Sequence, residues 1–217
     1  MREGDPFIRW DWIARNLDLI GDRLAQHLVL TGIALGVGFI ISLVLSLAIY
    51  RWRRLYPPIT GLAGTLYTIP SLALFALLVP FTGLSLLTAE IALVSYTLLI
   101  FIRNIVAGLD GVPAEIREAA DGMGYTSWQR LWQVEMPLAL PVIVAGARVA
   151  TVTTIGLVTV AAFVGQGGLG QLILDGLRRF FATPLYTGAL LSLALALLAD
   201  LALLGIQRAL TPWSRTR

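Results

Sequence analysis

The sequence predicts an all-α membrane protein in which about five transmembrane helices carry one long polar loop. Three observations predict it. The chain is 57% hydrophobic and 13% charged, with a mean hydropathy of +0.80, whereas a soluble domain carries about 25% charge. Its charges fall in clusters, and the uncharged runs between them can cross a hydrocarbon core of about 30 Å at about 1.5 Å per residue. One island, Pro113 to Pro137, interrupts those runs. It holds or borders Asp110, Glu115, Glu118, Asp121 and Glu135, together with Arg117 and Arg130. A membrane protein places such a segment in water, between two spans.

Residues 5–23 read as an amphipathic helix in the membrane interface, with Asp5 as N-cap and Pro6 at the first helical position. Trp10, Ile13, Leu17, Ile20 and Leu24 recur at helical spacing along one face. The same stripe also fits an outward extension of the first span. His27 sits at the junction and reads as a satisfied interfacial histidine rather than a ligand. The first span is expected near 28–50 and ends at Arg51, Arg53 and Arg54, a solvated anchor. The next uncharged run, Leu55 to Ala89, is 35 residues long and contains Pro80 and Gly83. It predicts a second span near 57–80 and a third near 86–109. Pro70 lies within the second and should kink it, because proline removes a backbone hydrogen bond. Kinked spans line cavities or pack around a neighbour, so Tyr67, Thr68, Pro70 and Ser71 are candidates for a solute path or gate. A fourth span near 138–163 and a fifth near 185–207 follow, separated by the glycine-rich turn Gly165, Gly167, Gly168 and Gly170. The basic tail carries Trp213 as a further interface anchor.

Five spans put the termini on opposite sides. With the N-terminus outside, the inner segments hold Arg51, Arg53, Arg54, Arg103, Arg117, Arg130, Arg208, Arg215 and Arg217. The outer segments hold Arg2, Arg9, Arg15, Arg23, Arg178 and Arg179, the smaller set. The bias favours N-out and C-in, with the island in the cytoplasm.

Within the island the residues spell two short helices around a glycine hinge. Pro113 suits the first helical position, and Ile116, Ala119, Ala120 and Met123 mark an apolar side. Gly122 and Gly124 interrupt that helix. Thr126 and Gln129 fit a capping box for the second, whose Trp128, Leu131 and Trp132 share a side. Pro137 should stop it and start the turn into the fourth span. A compact amphipathic unit of this kind suits docking into a groove of another protein.

EAADGMG, nine residues and VEMP resemble the EAA signature of the membrane subunits of bacterial ABC importers. Glu118, Ala119, Ala120, Gly124 and Pro137 match it, and Val134 and Met136 stand where that signature has Ile and Leu. LYTIPSLALFALLVP, RNIVAGLDGVPAEIREAADGMG, VEMPLALPVIVAGAR and AAFVGQGGLGQLI are similar to the osmoprotectant branch, so the likeness covers most of residues 65–175. It implies a single permease domain over 1–217 with the type I ABC importer fold, in the bacterial cytoplasmic membrane. It implies import of glycine betaine, carnitine, choline or proline. The implied partners are two cytoplasmic ATPase subunits, a second copy or paralogous permease, an extracytoplasmic solute-binding protein and the bilayer, with no nucleic acid. ATP and Mg would be bound by the ATPases, and no cofactor or metal by this chain. Glu118, Ala119, Ala120, Gly124, Trp128 and Pro137 would couple to the ATPases. The glycine turn would lie outside, near the dimer axis.

Arg148 and Asp200 are the two charges deep in predicted spans, on the order of 10–16 Å from the inner helix ends. Uncompensated charge is costly there, so they are expected to pair between the fourth and fifth spans, with a role in the solute path as the alternative. Glu90 would meet a cationic solute or snorkel to water. GQGGLG has no following Lys and no preceding strand, which argues against nucleotide binding. An intramembrane enzyme would need catalytic pairs, and one His, no Cys and one Arg–Asp couple offer few. A permease for an ergothioneine- or methionine-type solute, and an ATP-independent channel or carrier, are the remaining alternatives.

Overall fold

A computed structural model describes residues 8–212, and its described part is helical bundle throughout. In chain order the helices are α1 (Trp10–Arg15), α2 (Leu17–Arg51), α3 (Tyr56–Thr68), α4 (Ser71–Thr82), α5 (Leu86–Asp110), α6 (Ala114–Gly122), α7 (Ser127–Arg130), α8 (Met136–Val160), α9 (Leu169–Arg178) and α10 (Ala182–Leu210). Asp5, Pro6 and Trp213, given roles above, lie outside the described residues.

Helix α5 is the axis, packed by α2, α3, α4 and α8. It runs parallel to α2: Leu30 and Ala34 meet Leu93 and Tyr96, and farther along Ile49 meets Ile102 and Val106. It runs antiparallel to α8, where Gly108 lies on Ala139 and Gly146 on Asn104. Lipid offers no hydrophobic driving force between helices, so close approach at small residues supplies the packing energy. Phe101, Ile105, Leu109, Ile143 and Ala150 fill the core toward the end that carries the island.

Four features differ from the sequence expectation. The interfacial helix 5–23 and the span 28–50 are not separate units. After a break at Asn16, α2 runs from Leu17 to Arg51. No proline interrupts that stretch, so Asp18, Asp22 and Arg23 form the polar end of the same helix. Trp12 meets Phe181 edge-on at 5.8 Å and the Arg9 N–H donates to Thr183 Oγ1 at 3.0 Å, which pins α1 to the start of α10.

The second span is broken rather than kinked: α3 and α4 meet at 97° around Ile69 and Pro70. The residue before a proline is pushed out of the helical region, and Ile69 sits at φ −65°, ψ 128°. By length and composition, four helices among the described residues can cross a membrane, or five if the bent pair is one span.

Pro137 stops nothing. Ser127 to Val164 is one 38-residue helical run. Leu131–Glu135 is wound as a π-helix, and this wider turn accepts Pro137 at the start of α8.

Finally, the glycine turn leads into a helix that the sequence reading treated as loop. Gly168, at φ +50°, presses against the His27 backbone, and α9 then buries Leu169, Leu172 and Leu174 against the bundle. Its apolar positions were legible at helical spacing, but the glycines beside them outweighed that signal.

A Cβ at Gly146 would stand 2.4 Å from Asn104 Cβ. Gly146→Ala is therefore expected to cost about 1–3 kcal/mol by overpacking, read as a lowered Tm in detergent. Gly156→Ala, with no atom within 4 Å of the new Cβ, should leave Tm in place.

Candidate functional site

The island folds as an elbow. Helix α6 starts at Ala114, with Pro113 at the N-cap, one position earlier than expected. It ends at Gly122, and Gly124 follows at φ +82°. That left-handed turn lets the Tyr125 N–H reach back to the Ala120 carbonyl at 3.1 Å. The expected capping box is formed: the Gln129 N–H donates to Thr126 Oγ1 at 3.3 Å and the Thr126 N–H to Gln129 Oε1 at 2.9 Å. Ala120 and Leu131 turn inward and are buried, while Glu118, Ala119 and Pro137 are exposed. Ile116, Met123, Trp128 and Trp132 also remain exposed, the two indoles stacked edge-on at 5.6 Å. Four large apolar side chains are thus left uncovered on this otherwise polar segment.

What holds this elbow is a carboxylate that sequence reasoning counted but did not assign. Glu135, in the π-helical turn, is 0% exposed. It accepts from the Tyr50 hydroxyl at 2.7 Å and from Arg130 Nε at 2.8 Å. Arg117 Nε lies 3.5 Å from its other oxygen, an ion pair without hydrogen-bond alignment. Arg130 continues to Asp121 at 2.6 Å, and Arg117 donates to the Leu109 carbonyl. Arg53 pairs with Asp110 alongside. One network therefore ties the ends of α2 and α5 to α6, α7 and the root of α8. The sequence signal was a lone acid between Val134 and Met136 at the mouth of a span. Burying such a charge is tolerable only with partners, and those came from Tyr50 and Arg117, distant in sequence.

The other singled-out residues fall in three places. Tyr67, Thr68, Pro70 and Ser71 lie at the broken span, with Tyr67 38% exposed and its ring 5.8 Å from that of Tyr96. The Tyr96 hydroxyl donates to the Ile69 carbonyl and braces the break. Gly165, Gly167, Gly168 and Gly170 are at the opposite end of the bundle from the elbow, where Gly168 meets His27, Gly167 meets Ala162 and Gly170 meets Thr159. His27 is buried in the packed interior, with Nε2 3.1 Å from the Ile155 carbonyl.

Arg148 and Asp200 meet between α8 and α10 in a two-point contact of 2.8 and 2.9 Å. Gln207 extends it, accepting from Arg148 at 3.4 Å and donating to the Pro141 carbonyl at 3.0 Å. The pair borders a groove of about 450 Å³ with Ala145, Val149 and Val152. Glu90 does not snorkel: it is buried, and neither oxygen has a partner among the described residues. Among the described residues no three His, Asp or Glu side chains are grouped as a metal site requires.

Residues 34–214 match the family described as binding-protein-dependent transport system inner membrane component. The osmoprotectant import permease protein OsmW of Salmonella typhimurium LT2 is 43% identical over 91% of this chain and 94% of its own length. The glycine betaine/carnitine/choline transport system permease protein OpuCB of Bacillus subtilis 168 is 35% identical over 88% of both chains. Among solved structures, an inward-facing MetNI methionine ABC transporter chain superimposes with a TM-score of 0.79 at 27% identity, over 87% of this chain and 94% of that one.

Removing one partner of a buried ionic network costs about 3–5 kcal/mol. Glu135→Ala is expected to lower stability by that amount and to expose 113–126 to limited proteolysis before the spans unfold. For the intramembrane pair, Arg148→Asp and Asp200→Arg should each reduce the yield of folded protein. The double reversal should recover it, and a double variant no better than either single would contradict the pairing.

Proposed function

From the premise that this chain belongs to the binding-protein-dependent transport system inner membrane components, we propose how it works as an osmoprotectant permease. It is a multi-pass inner-membrane protein and the permease subunit of an ABC importer. Its solutes are compact osmoprotectants: glycine betaine, carnitine or choline, which its relatives' names give, or proline. The elbow lies in the cytoplasm, with the N-terminus outside and the C-terminus inside. Two ATPase subunits take its exposed face into their grooves, and they hold the ATP and Mg. A second permease, identical or paralogous, completes the path, and a separate binding protein delivers solute at the opposite end of the bundle.

The observation that carries this reading is the locked elbow with its uncovered apolar face of Ile116, Met123, Trp128 and Trp132. ATP can shift a transporter between states only through a partner that binds those states with different free energy. A loop that swivelled freely would absorb the ATPase motion. One joined through Glu135 to Tyr50, Arg117 and Arg130 passes it to the ends of α2, α5 and α8 together. Glu118 and Ala119, exposed on α6, sit where the ATPase contact would form, and Gly124 sets the angle between the two short helices.

An importer of this kind accumulates radiolabelled glycine betaine in vesicles only with ATP, its ATPases and its binding protein. ATP-independent uptake would instead favour a channel or carrier. At Gly124 a left-handed backbone costs an L-residue about 1–2 kcal/mol, and valine more. Gly124→Val should leave ATP hydrolysis running while uptake falls about tenfold, the ratio that 1.4 kcal/mol corresponds to. Gly124→Asn, a residue that tolerates positive φ, should keep most of the coupling. Wild-type coupling in the valine variant would contradict the assigned hinge.

A further inference from the structure

The break between α3 and α4 has a composition that the path assignment leaves unexplained. It lies deep in the bundle: Tyr96, which braces it, is about 15 Å from the Leu86 end of α5 at about 1.5 Å per residue. Two successive extended residues, Ile69 at ψ 128° and Pro70 at ψ 133°, separate the helices. They carry the N–H groups of Ser71 and Leu72 away from the last turn of α3. Pro70 has no N–H to offer. The carbonyls of Tyr67 and Thr68 therefore lack their helical partners, and no side chain among the described residues donates to them. The Ile69 carbonyl is satisfied by Tyr96 and the Leu66 carbonyl by the Ile69 N–H.

Tyr67, which carries one of these carbonyls, is 38% exposed. Tyr96 is 5% exposed and packs against it at 67° between planes. A ring has two faces, and Tyr96 covers at most one. Thr68 and Pro70 are exposed on the same segment. Unpaired carbonyls and an uncovered aromatic ring at this depth are poor neighbours for lipid tails. Non-helical backbone is tolerated there where it lines a cavity.

We propose that this break is a resting site for the quaternary ammonium head of the solute, between the Tyr67 ring and the carbonyls of Tyr67 and Thr68. The inference rests on the osmoprotectant-importer reading and adds the recognition chemistry. A quaternary nitrogen has no N–H, so a carboxylate or hydroxyl gains no hydrogen bond from it. Its charge is spread over methyl groups, which suit an aromatic face and the C–H to oxygen contacts that open carbonyls accept. Tyr96 acts by position: its hydroxyl holds Ile69, and its ring fixes that of Tyr67. The site passes solute on because it offers no formal opposing charge, so the head group is held weakly enough to leave.

The test uses the complete importer. Choline binding to the detergent-solubilised permease–ATPase complex, without binding protein, is followed by saturation-transfer NMR of the N-methyl protons. Its uncharged isostere 3,3-dimethyl-1-butanol is run in parallel. Wild type and Tyr67→Phe should bind choline alike. The isostere on wild type, and choline on Tyr67→Leu, should each bind about tenfold more weakly, as the loss of a desolvated cation–π contact requires. Co-purification of the ATPase reports whether the leucine variant is assembled. The isostere comparison needs no variant. Equal binding of choline and isostere, or undiminished binding in an assembled Tyr67→Leu complex, would overturn this inference while leaving the importer reading intact. Vesicles of the wild-type importer that take up no quaternary ammonium solute at all would overturn both.

Discussion

The structure depends on one buried carboxylate. Glu135 has no exposed surface, and its partners come from three separate segments: Tyr50 from the end of α2, Arg117 from α6 and Arg130 from α7. A carboxylate taken out of water is tolerable only if such partners are held in place. The requirement runs both ways, because the partners are positioned by the acid they satisfy. The polar loop is thereby made part of the bundle. Its outer surface is free to carry the exposed indoles and Met123 without the loop losing its shape.

The π-helical turn that holds Glu135 is the second half of that device. A normal helix through Leu131–Glu135 would meet the Pro137 ring with a full complement of hydrogen bonds to break. The widened turn admits the proline and keeps the run from α7 to α8 continuous. Trp128 and α8 therefore belong to one continuous rod. At Pro70 the outcome differs. No widened turn precedes that proline, Ile69 goes extended, and the helix breaks by 97°. Two prolines thus give opposite results, a continuous helical run at Pro137 and a break at Pro70.

The class of fold was legible in the sequence because it rests on composition and on the lengths of uncharged runs. The capping box at Thr126, the turn at Gly124 and the meeting of Arg148 with Asp200 were also legible. The first two are local, and the third rested on two isolated charges at similar depth. Glu135 was not, since its partner Tyr50 lies in another helix and nothing near it in sequence announces burial. The severity of the break at Pro70 was missed for a similar reason. A proline reports a lost hydrogen bond but not the angle, and the Tyr96 hydroxyl that braces the Ile69 carbonyl comes from another helix. Helix α9 was hidden by its glycines, whose role is close packing against His27 and Thr159 rather than chain flexibility. The continuity of α2 shows that a change in face composition need not be a boundary.

The chain has no cysteine, so pairs of spin labels can be placed without removing any native thiol. The most direct measurement is the distance from Met123, at the C-cap of α6, to Arg54, just past the end of α2, in the assembled importer with and without ATP. If the elbow and bundle move as one body, that distance holds within about 2 Å between the two states, while distances from Met123 to a label on the ATPase follow the nucleotide. A Met123–Arg54 separation that changes by many ångströms on adding ATP would contradict the locked elbow.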